Sequence, residues 1–140
     1  MEKPQDCGML IKQINDELLK NANNALRSQN ITLAQLEVLN QLNQAPEGQY
    51  SLKELEQILH VAQSTAAGII SRLEQKGFVE GLGDAEDRRI KRVQITPAGV
   101  DCVRAALHHR AEAEGLILSN LTEAERNIFY MLLKKVRDSL

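Results

Sequence analysis

The chain has 140 residues, of which 43% are hydrophobic and 26% charged, and its formal net charge is −2. That is enough chain for one well-packed domain, and the composition is globular rather than disordered. No run approaches the roughly 20 apolar residues of a membrane helix. The start, Met1 to Asp6, lacks the basic and apolar regions of a signal peptide. Cys7 and Cys102 lie too far apart to read as a disulfide framework or a metal finger. These features exclude a membrane partner and point to a cytoplasmic protein.

Leu10, Ile14, Leu18, Ala22 and Leu26 recur every four residues and predict an amphipathic first helix. Thr32 and Gln35 form a capping-box pattern for a second helix, with Leu33, Leu36, Leu39 and Leu42 as its apolar positions. Ala45-Pro46-Glu47-Gly48 ends it. Ser51 and Glu54 repeat the pattern before a short helix to about Leu59, and His60-Val61-Ala62 is a tight connection. The next helix runs from about Gln63 to Lys76, turns Ala66, Ile69, Ile70 and Leu73 inward, and stops at Gly77. Two short helices joined by three residues are what a helix-turn-helix requires.

Phe78-Val79-Glu80 and Val93-Gln94-Ile95 are two strand candidates. Between them the segment from Gly83 to Arg89 forms a polar tip, so the pair reads as a wing. Net negative charge argues against a nucleic-acid binder, but Arg88, Arg89, Lys91 and Arg92 fill four of five consecutive positions. Screening over about 10 Å at 0.1 M salt makes that local cluster matter more than distant acids. Thr96-Pro97 opens a helix to about Asn120, with Val100, Val103, Leu107, Leu116 and Ile117 available for burial. Thr122 and Glu125 cap a last helix carrying Ile128, Phe129, Leu132, Leu133 and Val136. The expected fold is mainly α with a small β-wing.

The stretches Leu33-Ala34-Gln35-Leu36-Glu37-Val38-Leu39, Leu52-Lys53-Glu54-Leu55, Gln63-Ser64-Thr65 and Arg72-Leu73-Glu74-Gln75-Lys76-Gly77 resemble the MarR family of winged helix-turn-helix transcriptional regulators. The most specific match is Asp87 to Thr96, followed by Pro97-Ala98-Gly99. The resemblance implies a winged helix-turn-helix lobe over about 32–97, with N- and C-terminal dimerisation helices over about 8–28 and 97–140. It also implies a homodimer on double-stranded DNA, repression at a palindromic operator, and release by a small-molecule effector or an oxidant. Two positions depart from the family pattern. Ala62 stands where a capping serine or threonine is usual, and Gly68 where many relatives carry a larger polar residue.

A recognition helix reads base edges in the major groove from its N-terminal half. The DNA-facing candidates there are Gln63, Ser64, Thr65, Ala67, Gly68, Ser71 and Arg72. Glutamine pairs bidentately with adenine, a serine hydroxyl reaches a base or phosphate, and the Ala67 methyl can touch a thymine methyl. Arg72 is better placed for a phosphate. In the wing, Arg89 is the candidate for a narrow minor groove, whose negative potential attracts arginine. Asp87 orients it in the family pattern, while Arg88, Lys91 and Arg92 serve phosphates.

No metal or cofactor is expected. His108 and His109 are adjacent on a helix and point about 100° apart, and His60 lies in another element, so the three read as ordinary polar residues. No nucleophile elbow, phosphate loop or metalloprotease helix appears, so the chain reads as no enzyme. Cys7, near a chain end, is not expected to be the main switch, and Cys102 reads as partly buried and unreactive. The rival readings are a winged-helix module for protein contacts, which has no need of a basic wing tip, and a thiol-based redox regulator.

Overall fold

The computed structural model describes residues 6–83 and 90–140. Among these described residues there are six α-helices: α1 (Cys7–Ser28), α2 (Leu33–Gln44), α3 (Leu52–Leu59), α4 (Gln63–Gln75), α5 (Pro97–Ile117) and α6 (Glu123–Asp138). Three strands, β1 (Gln49–Ser51), β2 (Val79–Gly83) and β3 (Ile90–Ile95), form an antiparallel sheet in the order β1-β3-β2. The protein is therefore mainly helical with a small sheet, as the sequence pattern implies. No helix among the described residues is long and apolar enough to cross a membrane.

The chain divides into two compact units. One is Asn23–His108, and the other combines Met1–Ala22 with His109–Leu140. In the first, Val38, Leu39 and Leu42 of α2, Leu55 of α3, Ile70 and Leu73 of α4, and Val93 of β3 share one core. The capping box at Thr32 is complete. The Gln35 backbone N–H donates to Thr32 Oγ1 at 3.2 Å, and the Thr32 N–H donates to Gln35 Oε1 at 3.2 Å. Leu33, expected to be buried, is 56% exposed, and Val38 is buried in the α2 face instead. Leu33 opens the helix on its solvent side, whereas Val38 falls between Gln35 and Leu42 on the inner face.

Among the described residues the sheet has one strand more than the two expected. β1 is only three residues long and follows the 3₁₀ turn Pro46–Gly48, so it shows no two-residue alternation to read. It gains its hydrogen bonds from β3, pairing Tyr50 with Val93 and Ser51 with Arg92. At α3, Ser51 Oγ accepts from the Glu54 N–H at 3.0 Å, but Glu54 does not complete the box. Its carboxylate lies 3.9 Å from the Arg92 guanidinium, while the Ser51 backbone belongs to the sheet.

In the second unit, α6 opens with the expected box. The Thr122 N–H donates to Glu125 Oε1 at 2.9 Å and the Glu125 N–H to Thr122 Oγ1 at 3.2 Å. α5 ends at Ile117, earlier than Asn120, and Arg126 Nε donates to the Leu118 carbonyl at 3.1 Å. α6 buries no residue, although Ile128, Tyr130, Met131, Leu132, Leu133 and Val136 all lie on it. Met9, Leu10, Ile11, Ile14, Leu18 and Leu19 of α1 are likewise exposed.

Candidate nucleic-acid interface

α3 and α4 meet through a turn of three residues. His60 closes α3 in the left-handed conformation (φ 54°), its N–H donating to the Glu56 carbonyl. Ala62 then takes the extended N-cap geometry of α4 without any side-chain hydrogen bond to the first turn. The methyl group leaves those N–H groups to an outside acceptor such as water or a bound anion.

Behind α4, Ala66, Ile70 and Leu73 are buried and Ile69 half-buried. Gln63, Ser64, Thr65, Ala67, Gly68, Ser71 and Arg72 are all exposed, so every residue expected to face DNA on this helix is available to a partner. A Cβ built on Gly68 meets nothing within 4 Å, so the helix face has open room there. The face is polar, carries one cation and presents small side chains that let a groove edge approach closely.

The C-terminus of α4 is fixed by its own chemistry. Gly77, at φ 79°, lets the chain reverse. The Gly77 N–H donates to the Glu74 carbonyl and the Phe78 N–H to the Leu73 carbonyl, each at 3.0 Å, which is the Schellman closure. Thr96 locks this corner to α5, its hydroxyl donating to the Gly77 carbonyl at 2.6 Å and accepting the Gly99 N–H at 3.1 Å.

In the wing, Asp87, Arg88 and Arg89 lie outside the described residues. Lys91 belongs to β3, where the β2–β3 register shifts between Leu82 and Gly83. Arg92 is exposed, and its guanidinium is drawn toward β1 and α3, with Nε donating to Gln49 Oε1 at 3.3 Å. It shares its charge with Glu54 before any phosphate arrives.

Cys7 is exposed in the first turn of α1, where Asp6 Oδ1 accepts the Met9 N–H at 2.7 Å. Cys102 is buried more completely than its sequence neighbours suggest. Burial pushes its thiol pKa up, opposed by the positive charge of Lys76. Among the described residues no cluster of three or more His, Cys, Asp or Glu could hold a metal ion.

Helix-turn-helix, strand pair and flanking helices together define a winged helix-turn-helix protein. The sequence model of the MarR family matches residues 31–91. The multiple antibiotic resistance protein MarR of Salmonella typhimurium is 30% identical over 130 residues, covering 92% of this chain and 89% of that protein. The chain belongs to the MarR family. The HTH-type transcriptional regulator YwaE of Bacillus subtilis is 28% identical over 93 residues, and the match spans 66% of this chain but only 54% of YwaE. Among solved structures, the MepR–DNA complex of S. aureus superposes with a TM-score of 0.81 at 25% identity, over 94% of this chain and 98% of that one.

Proposed function

We propose that this protein is a transcription regulator that binds double-stranded DNA as a homodimer, with α4 in the major groove. The observation that carries the reading is the two-sided character of α4. Its inner face is sealed into the core, and its outer face of Gln63, Ser64, Thr65, Ala67, Gly68, Ser71 and Arg72 is open. The kinship with MepR, crystallised with DNA, supports the same use of the helix. Gln63 and Ser64 contact base edges, Ala67 and Gly68 admit the groove wall, and Ser71 and Arg72 meet phosphates. Asp87, Arg88, Arg89, Lys91 and Arg92 form the wing contact, with Arg89 in the minor groove.

Dimerisation is supported by the large apolar side chains on α1 and α6. A helix that buries none of its own apolar residues needs a partner surface. A two-fold dimer presents two copies of α4, so the operator is palindromic. The regulator acts as a cytoplasmic repressor, released by a small-molecule effector.

The test is to sequence duplexes retained by the pure protein from a random pool, with its mass measured by light scattering. A dimer that enriches an inverted repeat supports the reading. A monomer contradicts the dimer, and retention without enrichment contradicts sequence-specific regulation. Binding of other proteins but of no duplex would make the fold a protein-contact module.

A further inference from the structure

Lys76 closes α4, and its ammonium reaches away from that helix to the turn joining α1 and α2. Nζ donates to the Asn30 carbonyl at 2.6 Å and to Gln35 Oε1 at 2.8 Å, partners 46 and 41 residues away in sequence. Both acceptors are held in place. Asn30 is left-handed (φ 54°), with its N–H on the Arg27 carbonyl, so it belongs to the closure of α1. Gln35 is 4% exposed, the buried polar residue of the described core, and its Oε1 also accepts the Thr32 N–H. One cation therefore joins the end of α1, the start of α2 and the end of α4. An ammonium has three donors and no acceptor, and two of them are directed here at fixed oxygens.

We propose that Lys76 is a positioning residue for DNA reading, holding α4 at a set angle to the α1–α2 turn rather than contacting DNA. The inference rests on the proposed function of α4. Specific binding needs base-edge groups held in register, whereas non-specific binding needs only charge near phosphates. Releasing the tail of α4 should therefore weaken the first and spare the second.

The experiment compares the wild type with Lys76→Met, Lys76→Arg and Gln35→Leu. The last removes the acceptor from the opposite side and keeps the question open to test if the Met variant fails to fold. Each is measured for thermal midpoint, and for affinity to the selected operator and to an unrelated duplex across a salt series. The expected result for Lys76→Met and Gln35→Leu is about a tenfold loss on the operator, with the salt slope unchanged. Affinity for the unrelated duplex stays within about twofold, and Lys76→Arg recovers most of the operator affinity. Equal weakening on both duplexes with a salt slope smaller by about one makes Lys76 a phosphate contact and overturns the proposal. A lowered thermal midpoint with an unchanged ratio between the duplexes makes its role structural only, and also overturns it. A wild type that does not distinguish the two duplexes refutes the DNA-reading function itself, and the proposal with it.

Discussion

Gly99 packs directly against the carbonyl of Phe78. A Cβ at position 99 would fall well inside contact distance of that oxygen and 2.7 Å from Cγ1 of Ile95. The first turn of α5 therefore lies flush on the corner where α4 turns into the sheet, a contact only glycine permits. Replacing Gly99 with alanine should cost about 3 kcal/mol, the upper end for overpacking in a close-packed interior. Urea denaturation measures this, and a loss below about 1 kcal/mol would mean that the corner can yield.

Ala62 offers the reverse opportunity. It has N-cap backbone geometry (φ −67°, ψ 155°) but no side-chain oxygen to serve the first turn of α4. Ala62→Ser should stabilise the fold by about 1 kcal/mol, read as a raised urea midpoint. An unchanged or lower midpoint would show that the orphan N–H groups are already satisfied.

The two cysteines should behave differently. Cys7 is exposed, whereas Cys102 is buried with a raised thiol pKa, so its reactive thiolate is scarce at neutral pH. A thiol reagent should modify one group quickly in the native protein and the second only at the rate of unfolding. Fast modification of Cys102 in a Cys7→Ser variant would contradict the burial.

Glu125 in the cap of α6 should titrate below the usual glutamate range, because hydrogen bonds from Thr122 favour its charged form. A carboxylate whose folded pKa is depressed contributes stability that is complete above its ordinary pKa. That contribution is lost as pH falls through the lower folded value. NMR titration of the Glu125 carboxyl checks the sign. A midpoint at or above the ordinary value would contradict the cap.

Much of this architecture is legible in the sequence because it is local. The boxes at Thr32–Gln35 and Thr122–Glu125 span three residues, and Ala66, Ile70 and Leu73 repeat at helical spacing, so both follow from periodicity. β1 was not legible, since three residues carry no period and their hydrogen bonds come from β3, some 40 residues on. The Ser51–Glu54 box forms only by half, because the Glu54 carboxylate lies beside Arg92, which is distant in sequence. The Lys76 network is invisible for the same reason. On α4, facing follows from the pattern, and every residue expected to face outward does so. In the wing, the Gln49 and Glu54 partners of Arg92 lie some 40 residues away in sequence and leave no local signal.

The central claim is that the exposed face of α4 reads the major groove of duplex DNA. Its most direct test is a methylation-protection footprint, read at guanine N7 in the major groove and adenine N3 in the minor groove, on an operator selected from a random pool. The account predicts two protected major-groove segments, related by two-fold symmetry and centred one helical turn apart or a multiple of it, about 10 base pairs for one turn. Both should be lost together in Gln63→Ala/Ser64→Ala. Protection confined to the minor groove, or a footprint that survives the double substitution, would contradict it.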